Sequence, residues 1–198
     1  MKLTKEIFDT FEGKAGNHFK KMEVSTYAEI GTREGTTFKE RTPFISKHAI
    51  AVDCWDLYEK SSQNDMDRER EQAKQQHINL QNYYKSSLFE DSRQIEIYKN
   101  FSNDPELLNK FKDNHFDCIF IDGDHSYEGV KEDLNNWWSK CNTLFYGHDY
   151  MLTETIWSGV RCGVKEAVDE FIQEHESEIK HFRVYKGSAN PTWFIWKN

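Results

Sequence analysis

Two clusters of ionisable side chains follow hydrophobic runs closely enough to do chemistry. The first, Asp122-Gly123-Asp124-His125-Ser126-Tyr127-Glu128, begins where Phe116-Asp117-Cys118-Ile119-Phe120-Ile121 ends. The second, Gly147-His148-Asp149-Tyr150, follows Thr143-Leu144-Phe145-Tyr146. Carboxylate oxygens joined by an imidazole suit Mg²⁺ or Mn²⁺, and a histidine near neutral pH can remove a proton. The structural alternative has Asp124 capping a helix that begins near Ser126, with the histidines packed or facing solvent. Two more loops offer ligand contacts. Gly31-Thr32-Arg33-Glu34-Gly35 spaces two glycines four apart, so backbone can approach a ligand, yet it matches neither the dinucleotide nor the triphosphate fingerprint. Val52-Asp53-Cys54-Trp55-Asp56 carries an acid able to accept from a ribose diol, with Trp55 offering a face to a purine. A turn or helix cap is the alternative for Asp53.

These loops need elements to hold them. Tyr27 to Ile30 and Phe116 to Ile121 are β-rich and continuous rather than alternating, as strands buried on both faces are. Further strands are expected at 48–52, 94–98, 143–146, 182–185 and 192–196, which makes seven. Helices are expected at 34–46, 65–85, 104–112, 126–139 and 160–178. Asp104-Pro105-Glu106 is a start signal, because proline at a first turn lacks only a donor that would be unpaired there. Val164, Ala167, Val168, Phe171 and Ile172 form an apolar helical stripe. Strand and helix alternate, which implies an α/β fold with a largely parallel sheet and an antiparallel edge from the last two strands. In such a sheet, ligands sit beyond the carboxyl ends of the strands, where all four loops fall. Residues 56–93 break the rhythm with the charged run Asp65-Met66-Asp67-Arg68-Glu69-Arg70-Glu71, read either as a solvated helix face or as a substrate wall.

The 198 residues fit one domain spanning 1–198, with 56–93 as a charged helical insert. A net charge of −8 disfavours nucleic acid as a partner and leaves a small-molecule acceptor. Cys54, Cys118, Cys141 and Cys162 form no C-x-x-C pair, and no apolar run suits a signal peptide or membrane span, so a cytoplasmic protein is expected. A homo-oligomer is compatible with the sequence.

Taken in order, Ala28-Glu29-Ile30-Gly31-Thr32-Arg33-Glu34-Gly35, Val52-Asp53-Cys54-Trp55-Asp56, Ile121-Asp122-Gly123-Asp124-His125-Ser126-Tyr127-Glu128-Gly129-Val130 and Gly147-His148-Asp149-Tyr150 resemble the class I S-adenosylmethionine-dependent methyltransferases. The group with an I-D-G-D-H-S-Y-E-G-V element and a following G-H-D-Y is most similar. The resemblance covers about residues 26–198. It implies a Rossmann-like seven-stranded sheet, mostly parallel with an antiparallel last strand and helices on both faces. It also implies S-adenosylmethionine as cofactor, held by Glu29, Gly31, Thr32 and Gly35 around its methionine part, Asp53 at the ribose, Trp55 and Ser102 near adenine, and Asp122. Asp122, His148 and Asp149 correspond to the positions that hold a divalent cation in metal-dependent relatives, His148 standing where many carry an acid. His125, with Asp124 beside it, falls at the general base. The implied reaction is methylation of an oxygen on a small polar acceptor such as a sugar. The alternatives are an NAD-dependent oxidoreductase, which calls for a tighter glycine fingerprint, and a non-catalytic nucleoside-binding scaffold on the same fold.

Overall fold

The computed structural model describes residues 1–12, 16–55, 63–85, 93–151, 156–157, 160–187 and 190–198. Seven strands form one sheet: β1 (Thr26–Ile30), β2 (His48–Asp53), β3 (Gln94–Lys99), β4 (Phe116–Ile121), β5 (Cys141–Gly147), β6 (Ile179–Tyr185) and β7 (Thr192–Lys197). Their order is β3-β2-β1-β4-β5-β7-β6. β1 to β5 run parallel, and β7 is antiparallel to both β5 and β6. The expected fold class is borne out. All seven expected strands are present, most of them a residue or two longer than anticipated.

Strand burial follows the sequence pattern. All six residues of β4 are buried, as are the last four of β1, because both lie in the middle of the sheet with apolar cover on each side. One face is covered by α5 (Pro105–Leu108), α6 (Tyr127–Trp138) and α7 (Val164–Glu174), which contribute Leu107, Val130, Leu134, Trp137, Val168 and Phe171 to its core. The other face is covered by α1 (Lys5–Thr10), α2 (Gly16–Met22), α3 (Thr36–Arg41) and α4 (Gln63–Lys85), contributing Phe8, Phe19, Met22, Phe38 and Leu80. Asp104 caps α5 by accepting from the Glu106 and Leu107 amides, and Ser126 caps α6 by accepting from the Gly129 amide at 3.0 Å.

Four expectations change, one being that the helix anticipated over 104–112 spans only Pro105–Leu108. The helix anticipated over 160–178 starts only at Val164: Val160–Arg161 pairs with Ile156–Trp157 as a short antiparallel ribbon, and Cys162 bridges Ser126. The Gly163 amide donates to the His125 carbonyl at 2.8 Å, so this segment is committed to the β4 loop before the helix can begin. The helix expected over 34–46 gives way after Arg41 to a single 3₁₀ turn at Pro43. Two N-terminal helices were not anticipated from the sequence. Of the charged insert, residues 56–62 and 86–92 lie outside the described residues, as do 152–155 and 158–159.

The chain leaves β1 toward β2 and β3 on one side, then returns to β4 and β5 on the other. Loops after β1 and β4 therefore diverge above the sheet and open a crevice at its carboxyl edge. They first touch at backbone level. Gly31 has φ +85°, and a Cβ there would lie 2.2 Å from the Asp122 carbonyl oxygen and 2.5 Å from the Gly123 Cα. Gly31→Ala is therefore expected to destabilise the fold by at least about 2 kcal/mol in urea denaturation, the combined effect of strain and a forced parting of two central loops. A change within about 0.5 kcal/mol, the range of ordinary surface substitutions, would contradict this.

Candidate active site at the carboxyl edge of the sheet

A cavity of about 1050 Å³ occupies the crevice. Gly31 and Arg33 of the β1 loop line it, with Asp53, Cys54 and Trp55 after β2, residues 100–103 after β3, residues 122–126 after β4, and Glu69, Gln72, Ala73 and Gln76 from α4. Four loops that are distant in sequence thus meet, as their positions at strand ends required.

Asp53 is fixed by two backbone donors: the Arg33 amide at 2.8 Å and the Trp55 amide at 2.7 Å. Burial raises its pKa against those two bonds. Both carboxylate oxygens keep acceptor capacity for hydroxyls in the cavity. The turn-forming and ligand-facing readings of this residue therefore coexist. Ser102 also lines the cavity; its carbonyl accepts from the Trp137 indole at 3.1 Å.

Other candidates sit differently from the expectation. Trp55 is 1% exposed, its indole donates to the Arg33 carbonyl at 2.8 Å, and the His77 ring lies 4.5 Å from its own. Its face is covered by α4, so it stiffens the wall instead of presenting an open surface to a purine. Glu29 and Thr32 are buried and do not line the cavity. Glu29 accepts from the Tyr27 hydroxyl at 2.6 Å and lies 3.5 Å from Arg41, which is itself buried and also donates to Tyr27. Burial pushes the Glu29 carboxyl up to about 7, against the opposing pull of Arg41 and Tyr27. The Thr32 hydroxyl reaches the Glu29 carbonyl at 3.3 Å. Gly35, with φ +73°, makes room for Leu80 of α4, which a Cβ would meet at 2.4 Å. Asp124 accepts from the Ser126 amide at 2.8 Å and folds against Gly129, so its carboxylate serves the start of α6.

His125 occupies the centre of the acidic cluster. Its Nε2 is 2.8 Å from Asp149 Oδ2 and 3.5 Å from Asp122 Oδ1. Burial opposes its charge, but hydrogen bonds and attraction from Asp122 and Asp149 prevail and push it up to about 10. Asp149 is held well below the usual carboxylate range: burial works upward, and His125 and His148 overcome it. The two carboxylates thus favour the protonated form of His125. Proton removal by His125 requires another cation to take over the two carboxylates.

Asp122, His148 and Asp149 do converge, each offering a ligand atom within 4.8 Å of the others. Asp149 is 7% exposed and its Oδ1 faces His148 Nδ1 at 3.3 Å, while the His148 Nε2 is buried without a hydrogen-bond partner among the described residues. Asp149 also holds φ +60°, an uncommon backbone state for a non-glycine residue. A buried, unsatisfied imidazole nitrogen beside two carboxylates fits a divalent cation. His148 and Asp149 stand behind His125 and Asp122, which line the cavity.

Several cavity residues escaped sequence reasoning. Among the described residues, Arg33 is the only Lys or Arg lining it, and Asp133 of α6 is a buried carboxyl raised by burial to about 7, partly offset by a hydrogen bond from Ser102. Asp133 could have been found, because it interrupts the apolar stripe Val130, Leu134 and Trp137 on the buried face of α6.

A doubly wound sheet whose switch point lies between β1 and β4, with an acid at the end of β2 facing a crevice, defines an α/β protein of the Rossmann-like class. Residues 28–150 match the family described as "Methyltransferase domain", and the chain belongs to that family. The expectation of a methyltransferase is borne out at that level. No curated protein matches the sequence. Solved structures share the fold. The N-methyltransferase NodS from Bradyrhizobium japonicum, with S-adenosyl-L-homocysteine, gives a TM-score of 0.59 at 10% identity over 93% of this chain and 85% of that one. An O-methyltransferase from Bacillus cereus with the same ligand gives 0.57 at 14% identity, covering 98% and 82%. A methyltransferase from Podospora anserina gives 0.57 at 13% identity, covering 93% and 76%. Among the described residues, no helix is long and apolar enough to cross a membrane.

The His125 assembly makes a signed pH prediction. A histidine whose pKa rises on folding contributes stability that is fully present below its unfolded pKa, near 6.5, and is lost as pH climbs through about 10. His125→Gln should therefore cost on the order of 2 kcal/mol near pH 6, with the difference from the parent shrinking steadily between pH 7 and 10. Denaturant titrations across this range test it, and a pH-independent difference would contradict it.

Proposed function

We propose that this chain transfers a methyl group from S-adenosylmethionine to an oxygen of a small polar acceptor such as a sugar. The observation that carries the reading is the charge of the cavity. Among the described residues, Asp53, Glu69, Asp122, Asp124, Glu132 and Asp133 line it against one arginine and His125. Such a wall favours a cationic sulfonium ligand and repels a pyrophosphate. The glycine loop adds no phosphate cradle of the dinucleotide type. Both features argue against the NAD-dependent alternative.

Bound in the cavity, S-adenosylmethionine supplies an electrophilic methyl group on sulfur. Asp53 would hold the ribose, the loop that begins at Gly31 would hold the methionine part, and Ser102 would stand near the base. Transfer is an in-line displacement, so alignment of acceptor oxygen, carbon and sulfur supplies much of the rate. Asp122 and His125 mark the acceptor end. A hydroxyl there must lose its proton, which Asp122 can accept while His125 steadies the resulting charge. Asp122, His148 and Asp149 are the residues that would hold a divalent cation, whose contribution is to lower the pKa of the acceptor hydroxyl. We place the protein in the cytoplasm as a single domain, acting on a small molecule and not on nucleic acid.

Binding calorimetry provides the test. S-adenosylmethionine and S-adenosylhomocysteine are expected to bind and NAD to show no heat; selective uptake of NAD would overturn the assignment. A screen of sugar and other hydroxyl acceptors then separates a working enzyme from a scaffold, with Asp122→Asn as the inactive control. For the cation, thorough chelation should reduce turnover at least about tenfold, with recovery on adding Mg²⁺ or Mn²⁺. Full activity after chelation would leave His125 and Asp122 to act without it.

A further inference from the structure

Each loop of the acidic cluster is followed by a tyrosine that the catalytic reading leaves unused: Tyr127 beyond Asp122 and His125, and Tyr150 directly after His148 and Asp149. Their hydroxyls reach two consecutive acids of α7. Tyr127 donates to Glu170, with Lys131 bonded to both, and Tyr150 donates to Asp169 Oδ1 at 2.5 Å. Lys165, one turn earlier on α7, bonds the same Asp169 carboxylate and stands 5.4 Å from the Tyr150 ring centroid. One helix therefore grips both loops.

The two grips hold different things. Tyr127 is only partly buried against the core, and Asp122 on its loop is already placed by the bond from its own amide to the Ile30 carbonyl at 2.8 Å. Tyr150 is 8% exposed, within the core that α6 and α7 share, and its neighbour Asp149 holds φ +60°. A non-glycine residue keeps such a backbone state only where its surroundings enforce it. On one side of Asp149 the His148 amide donates to the Ile121 carbonyl at 3.2 Å, and on the other the Tyr150 amide donates to the Pro191 carbonyl at 3.0 Å. The second restraint is as firm as Tyr150 itself, whose ring is fixed in the core and whose hydroxyl is fixed on Asp169. Without that hydrogen bond the backbone at Asp149 has less to oppose its relaxation, and relaxation turns the carboxylate away from His125 and His148, which it meets at 2.8 Å and 3.3 Å.

We propose that Tyr150, through its hydroxyl on Asp169, is the positioning residue that aims the Asp149 carboxylate into the cluster of Asp122, His148 and Asp149 and so sets the affinity of that cluster for a divalent cation. This rests on the proposed cation reading of the cluster. Tyr150 touches no reacting atom. It acts as groups behind metal ligands do, by fixing the direction in which a ligand points, an effect worth about 10- to 100-fold in metal affinity.

The test titrates Mn²⁺ alone into the full chain by calorimetry. Tyr150→Phe keeps the ring and removes the hydroxyl, and it should weaken Mn²⁺ binding at least about tenfold. Tyr127→Phe removes the equivalent bond from the other loop and should leave Mn²⁺ affinity within about twofold of the parent, since its group is partly exposed and holds no residue of the cluster. This pair separates aiming from a general loosening of α7, which would weaken both variants alike. Asp169→Asn retains an oxygen that accepts from Tyr150 and should stay within about threefold of the parent, whereas Asp169→Ala should match Tyr150→Phe. If Tyr150→Phe does not fold, the two Asp169 variants carry the decision. Unchanged affinity in Tyr150→Phe, equal losses in the two tyrosine variants, or equal losses in the two Asp169 variants overturn the inference while the cation assignment stands. A parent chain that binds no Mn²⁺ overturns both.

Discussion

The site exists because two backbone segments touch where one has no side chain. Ile30 and Ile121 are register partners in adjacent parallel strands, and the next residues, Gly31 and Asp122, leave the sheet in directions set by opposite crossovers. Before diverging they approach so closely that a Cβ on Gly31 would fall inside the Asp122 carbonyl. The Asp122 amide, donating to the Ile30 carbonyl at 2.8 Å, extends the ladder to the lip of the crevice. Every distance in the site is inherited from this contact. Asp53 is one strand to one side, Asp122 is on the other, and the gap between their loops is the cavity. Asp122 is thereby placed by backbone bonds, which makes its carboxylate a fixed reference for the residues that follow.

Charge is distributed unevenly around that reference. The front of the site is rich in carboxylates with Arg33 and His125 as counterweights, while the rear pairs Asp149 with two histidines. The imidazolium of His125 sits at the boundary and stabilises both Asp122 and Asp149. Without it, two like charges would face each other across the cluster. Any group that accepts a proton from an acceptor hydroxyl must therefore do so within a network already balanced by His125. That favours Asp122, the carboxylate shared by the cavity and the rear cluster.

Much of this was legible in the sequence because strand identity and loop chemistry were written close together. Continuous apolar runs such as Phe116 to Ile121 mark buried parallel strands, and the polar residues directly after them must emerge at one edge. The convergence of Asp53, Asp122, His125, His148 and Asp149 follows from that alone. Roles within the cluster were less legible, since a histidine acts as base or as fixed cation according to neighbours that come from another loop. Asp149 lies 24 positions beyond His125, and only the register of β4 with β5 brings them to 2.8 Å. Trp55 looked like a purine platform because its cover, His77, belongs to a helix whose charged sequence gives no sign of which face turns inward. The start of α7 was misjudged for a similar reason: the bond from Gly163 to His125 is tertiary, and helix periodicity does not register it.

Glu29 shows how a motif residue can serve a ligand without meeting it. Its carboxyl lies beneath the glycine loop, bonded to Tyr27, near Arg41, and in receipt of the Phe38 amide in the first turn of α3. The Arg41 guanidinium is in turn 4.1 Å from the Phe120 ring centroid, so the pair is enclosed by aromatic side chains of β1, β4 and β5, with Phe19 of α2 beside them. The loop from Gly31 to Gly35 is consequently held at three points: Gly31 against the β4 backbone, Arg33 through its amide on Asp53, and the following helix through Phe38 on Glu29. A buried ion pair is seldom a net source of stability against an apolar replacement, but loss of one partner is costly. Its value here is geometric. A glycine loop that is free to move would forfeit the close approach that Gly31 makes available, and the buried acid removes that freedom from the side no ligand reaches.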